Sequence, residues 1–88
     1  MKLRYELVTM DMGDHIAAVP VGDNTFHGML KLNDVSADIL EQLKTDTTPQ
    51  QVHAHLKEKY PDSTDQEIGE TLVEFLNTLI REGLLIAP

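Results

Sequence analysis

The chain has 88 residues, 41% of them hydrophobic, with seven Lys+Arg against fifteen Asp+Glu and a formal net charge of −8. Ordinary domains run roughly 100–200 residues, so one domain with one modest core is expected over residues 1–88. With no cysteine there is no disulfide, thiolate metal site or cysteine nucleophile. The acidity argues against nucleic acid and against an anionic membrane, both of which attract basic surfaces.

The start, Met1-Lys2-Leu3-Arg4-Tyr5-Glu6, lacks the apolar stretch of a signal peptide. No segment approaches the ~20 apolar residues of a membrane-spanning helix, and a cytoplasmic location is expected. Charge is unevenly distributed. Residues 1–32 carry three basic and four acidic side chains, whereas residues 33–88 carry four basic and eleven acidic ones. Near Asn33 the hydrophobic period also changes, from two residues to a helical repeat.

Leu3–Thr9 reads as a first strand of imperfect alternation, followed by turn chemistry at Asp11-Met12-Gly13-Asp14. His15–Val21 reads as a second strand, with Pro20 marking an edge or an end. Gly22-Asp23-Asn24 signals a turn. Phe26–Leu32 is the clearest strand, alternating Phe26, Gly28, Leu30 and Leu32 with His27, Met29 and Lys31. Three helices follow. Asn33 caps Asp34–Lys44; Thr48-Pro49 opens a helix stopped by Pro61; and Ser63 or Thr64 caps a third that Gly83 terminates. Leu84-Leu85-Ile86 is an apolar tail that must dock on the body. Strands in one run and helices in another indicate an α+β fold, with a sheet over 1–32 and a three-helix part over 33–88.

Catalytic and metal chemistry find little support. His53 and His55 lie about 200° apart around a helix, so they do not share a metal, which needs i,i+3 or i,i+4 spacing. His15 and His27 come close only if their strands pair in register. The carboxylates of Asp65, Glu67, Glu70 and Glu74 read as a solvated face rather than an acid–base pair. Residues 21–25 hold one glycine and no following Lys-Ser/Thr, so they form no phosphate loop. No cofactor is expected.

The helix–turn–helix order suggests a DNA reader, the alternative function. Against it, the exposed face of the third helix offers Asp65, Glu67, Glu70 and Glu74, with Arg81 as its one cation, and four carboxylates repel phosphate. A three-stranded meander also leaves open edges, and an open edge templates an added strand. The third strand leads straight into the helices, so it is expected to form a trough with the third helix. On that helix the apolar arc runs from Phe75 at about −20° to Val73 at about 140°, measured from Ile68, wider than one core contact requires.

Asn33-Asp34-Val35-Ser36-Ala37-Asp38-Ile39-Leu40-Glu41-Gln42-Leu43, the helix over Thr48–Tyr60, and the ending Val73-Glu74-Phe75-Leu76-Asn77-Thr78-Leu79-Ile80-Arg81-Glu82-Gly83-Leu84-Leu85 together resemble the PqqD-like small proteins, the recognition elements of peptide-modification pathways. The likeness covers essentially the whole chain. It departs at Lys44-Thr45-Asp46-Thr47, where the family often has Asp-Gly. The resemblance implies a winged helix–turn–helix that is not an enzyme. Such a domain binds the leader of a ribosomally made precursor as a strand beside the third strand, against the third helix. It then presents the peptide to a modifying enzyme, commonly a radical SAM protein. Carried over by position, the strand contacts are Gly28, Met29, Leu30, Lys31 and Leu32, and the helix contacts are Ile68, Thr71, Leu72 and Phe75. The expected state is a monomer, or a weak dimer through the sheet edge.

Overall fold

The computed structural model describes residues 1–21 and 29–86. Its elements, in chain order, are β1 (Lys2–Leu3), β2 (Leu7–Asp11), β3 (Ile16–Pro20), β4 (Leu30–Leu32), α1 (Asp34–Gln42), α2 (Pro49–Lys59), α3 (Asp65–Arg81) and β5 (Leu85–Ile86). β2, β3 and β4 form an antiparallel sheet in that order, and β1 pairs with β5 in a second, two-stranded one. The fold is therefore α+β, three antiparallel strands followed by three helices.

The stretch Leu3–Thr9, expected as one strand, is divided. The Leu3 N–H donates to Leu43 O (3.0 Å) and the Arg4 N–H to Leu84 O (2.8 Å), which draws the chain start toward the helical layer. Leu3 then pairs with Leu85, and the main sheet begins only at Leu7. The tail docks through that pairing, with Leu84 and Leu85 buried. Pro20 is the last residue of β3. Of the expected strand Phe26–Leu32, residues 26–28 lie outside the described residues.

The helices follow their punctuation. The Asn33 side chain accepts from the Ser36 N–H (2.8 Å) and opens α1, which ends at Gln42, two residues before the expected Lys44. Thr48 with Gln51, and Thr64 with Glu67, form reciprocal capping boxes at α2 and α3, so Thr64 rather than Ser63 is the cap. Gly83 (φ +73°) closes α3 in a Schellman turn. Its own N–H donates to Ile80 O (3.0 Å) and the Leu84 N–H to Leu79 O (2.9 Å), a left-handed geometry that favours glycine.

One apolar core unites the layers: Leu30 and Leu32 from β4, Ile39, Leu40 and Leu43 at α1, Val52 and Leu56 from α2, and Ile68, Leu72, Phe75, Leu76 and Leu79 from α3. A polar clamp ties α1 to α2. Asp38 accepts from Lys59 Nζ (2.7 Å) and from the Tyr60 hydroxyl. Burial pushes the Asp38 carboxyl up, but hydrogen bonds from Lys59 and Tyr60, with the Lys59 charge, outweigh it and hold the group below the usual carboxylate value. The same bond to Asp38, aided by burial, pushes the Tyr60 hydroxyl up to about 12. A carboxyl depressed in the folded state stabilises it fully above its unfolded value, near 3.8, and loses that effect as pH falls through the lower folded value. Asp38→Asn is expected to cost about 1–2 kcal/mol at neutral pH. It should also flatten the acid limb of a stability–pH profile measured by urea unfolding.

Candidate functional site

The register of the sheet decides which main-chain groups are free. At the β2–β3 turn the Met12 N–H donates to His15 O (2.9 Å), and at the far end the Val21 N–H donates to Glu6 O (3.0 Å). Antiparallel ladders alternate between hydrogen-bonded and non-hydrogen-bonded pairs. With Met10 opposite Ala17 and Val8 opposite Val19, residues 15, 17, 19 and 21 therefore turn their polar groups toward β2. Ile16 and Ala18 turn theirs toward β4, where they face Leu32 and Leu30. Leu30 and Leu32 are thus committed to β3. Lys31, opposite Ala17, directs both its N–H and its C=O away from β3, toward the edge that no described strand occupies.

Side chains sort by the same parity, since cross-strand partners share a face. Leu7, Ala18, Leu30 and Leu32 look into the core and are buried. Val8, Met10, Val19, Ala17 and Lys31 lie on the outer face. Val8 and Met10 there are 44% and 42% exposed. Ala17, though fully buried, stands outside the core cluster.

The nine positions drawn from the sequence divide accordingly. Gly28 lies outside the described residues. Leu30, Leu32, Ile68, Leu72 and Phe75 are core side chains, with Leu30 and Phe75 at its margin at 9% exposure each. Thr71 is half-buried, Lys31 is exposed, and Met29 is 55% exposed. β4 packs chiefly on β3 and α1, and α3 on α1, α2 and β5. α1 therefore links β4 to α3, and the expected trough has a helix beneath it. On α3 the surplus apolar width emerges as Val73 (58% exposed) and Ile80 (52%), a rim on the side of the arc away from Thr71. Val73 lines a shallow cleft with Pro49, His53, Gly69 and Leu72 between the start of α2 and α3.

The outer sheet face is what the sequence reading missed. Its signal was the alternation of Val8, Met10 and Met12, obscured because Leu7 beside them is apolar too. Among the described residues no three His, Asp or Glu side chains assemble a metal site, and no helix is long and apolar enough to cross a membrane.

A family model described as coenzyme PQQ synthesis protein D (PqqD) matches residues 6–85. The chain belongs to the PqqD family. The match runs from the residue before β2 to the first residue of β5, so it spans the whole sheet and all three helices. Among solved structures, this PqqD-family chain is similar to TbiB1, solved in complex with the TbiA(beta) leader peptide. The TM-score is 0.72 at 19% sequence identity, covering 100% of this chain and 98% of that one. At that identity the likeness is one of fold: three strands, then three helices. No curated protein sequence matches the chain.

Proposed function

We propose that this PqqD-family chain is a non-catalytic peptide-binding domain. It captures the leader of a ribosomally synthesised precursor as a strand added to the free edge of β4, and presents it in the cytoplasm to a modifying enzyme of the radical SAM class. The observation that carries this reading is the outward-facing main chain of Lys31, on a strand whose other side is engaged with β3. Family membership supports the reading, as does a shared fold with a protein solved in complex with a leader peptide.

The energetics are adequate. Lys31 offers one donor and one acceptor, and a leader running on along the residues that flank β4 forms about four main-chain bonds, each a net ~0.5–1.5 kcal/mol. Two or three apolar leader side chains, set against the core margin at Leu30 and Phe75, contribute ~1.5–3 kcal/mol each. Ordering a disordered segment costs ~2–5 kcal/mol or more, which leaves room for micromolar affinity, near −8 kcal/mol. Such β-augmentation takes register from the main chain and choice from alternate side chains.

DNA regulation is disfavoured by α3, whose solvent side carries Asp65, Glu67, Glu70 and Glu74, all exposed. The experiment is calorimetric titration of synthetic leader segments from candidate precursor peptides, at physiological salt. Micromolar or tighter one-to-one binding is expected. Absence of binding to the precursor, with tight binding to duplex DNA, would overturn the proposal.

A further inference from the structure

Lys31 is the one cation on the described strands β2, β3 and β4, and it stands at the middle of the edge strand on the outer face. Among the described residues, no carboxylate lies within 4.0 Å of its ammonium. Asp11, Asp14 and Asp34 line a cavity of about 620 Å³ with it at the end of the sheet. Asp11 accepts from the Gly13 N–H (2.9 Å), Asp14 pairs with His15 Nδ1 (2.7 Å), and Asp34 sits in the first turn of α1, where the helix dipole holds it. The cross-strand neighbours of Lys31 on its own face are Ala17 and then Met10, neither of which neutralises a charge. Among the described residues Lys31 is therefore an unpaired cation, beside the edge at which strand addition is proposed.

We infer that Lys31 is a specificity-determining residue of that site, selecting an aspartate or glutamate at the leader position directly opposite it. The inference rests on the strand-addition reading and adds a side-chain choice to it. The added strand is taken to run antiparallel to β4, the direction of every pairing within this sheet. Because the main chain of Lys31 faces outward, the opposing residue forms a hydrogen-bonded pair with it, their Cα atoms about 5.5 Å apart. Both side chains then fall on the outer face, within reach of an ion pair. The next leader residue turns inward beside Leu30, and the one after it returns to the outer face opposite Met29. The pattern is an acidic residue, then an apolar one facing the core margin, then an apolar one against Met29. This preference runs counter to the field of the molecule, because a net charge of −8 attracts cationic peptides. A local carboxylate preference thus stands out against the general trend.

The test is selection of binders from a phage-displayed library of randomised dodecapeptides against the full chain and against Lys31→Glu. Selection is carried out near about 0.15 M salt, where charges beyond ~8 Å are screened. Lys31 is exposed, so Lys31→Glu should keep the thermal melt of the parent; Lys31→Gln serves as a second, milder variant. The wild type is expected to enrich Asp or Glu followed directly by two apolar residues, and Lys31→Glu to enrich Lys or Arg in place of the acidic one. A selected acidic peptide should bind Lys31→Gln about two- to fivefold more weakly. Selected peptides that perturb the Lys31 amide but show no acidic preference, and bind Lys31→Glu equally, overturn this inference and leave strand addition standing. Selected peptides that leave β4 unperturbed overturn both.

Discussion

Lys31→Pro is expected to weaken capture of a precursor leader by about tenfold or more while the domain stays folded. The reasoning lies in the ladder. Proline removes one N–H, and in a sheet it is tolerated only where that N–H faces away from the partner strand. Lys31 meets this condition, because its polar groups point to the open edge and those of Leu30 and Leu32 bond to β3. The substitution therefore leaves every β3–β4 bond in place but takes a donor from the edge and puts a ring where the leader backbone must approach. A leader carbonyl left unsatisfied costs about 1–3 kcal/mol, and the steric conflict adds to this. Leu30→Pro is the contrasting variant. It breaks a bond to β3 and removes a core side chain, so it is expected to lower stability as well as binding. Calorimetric titration beside a thermal melt separates the two cases. Undiminished leader affinity in folded Lys31→Pro would place the peptide elsewhere.

The largest stability effect is expected at Leu79. It is fully buried, in the α3 stripe that closes the core against the other two helices. Truncating such a leucine to alanine costs about 2–5 kcal/mol, through lost transfer energy and an unfilled cavity. A domain of this length has roughly 4–13 kcal/mol in all. Leu79→Ala should consequently lower the melting temperature by roughly 15 °C, taking about 3 kcal/mol and the steep response of small domains. Its chain neighbour gives the control. Ile80 is 52% exposed, and Ile80→Ala should shift stability by no more than about 0.5 kcal/mol. Similar losses at both positions would contradict the orientation assigned to α3.

Much of the helical half was legible from residues with strong positional meaning. Asn33, Thr48-Pro49, Thr64 and Gly83 each act within a turn of their own position, so their signal needs no tertiary context. β1 and β5 were not legible as a pair. Each has two residues, too few to show a period, and their partnership joins opposite ends of the chain. The outer face of the sheet escaped for a related reason: β2 carries Leu7 on one side and Val8 and Met10 on the other, and alternation is informative only when one face is polar.

The candidate site was legible at the level of the strand and not of its residues. Listing Gly28 to Leu32 together treats them alike, whereas register separates Lys31, which faces outward, from Leu30 and Leu32, which face β3. That separation depends on the closure of the β2–β3 turn at Met12 and His15, a long way along the chain from β4. On α3, a helical projection gives the width of the apolar arc but not which edge the neighbouring helices cover. Ile68 and Leu72 accordingly fall in the core, and Val73 and Ile80 on the surface.

Hydrogen exchange at individual β4 amides, with and without saturating leader peptide, tests strand addition at β4 most directly. In the free domain the Leu30 and Leu32 amides are expected to be protected by β3, and the Lys31 amide to exchange freely. On binding, the Lys31 amide should become protected, while Leu30 and Leu32 change little. A Lys31 amide that still exchanges freely at saturation would contradict the account.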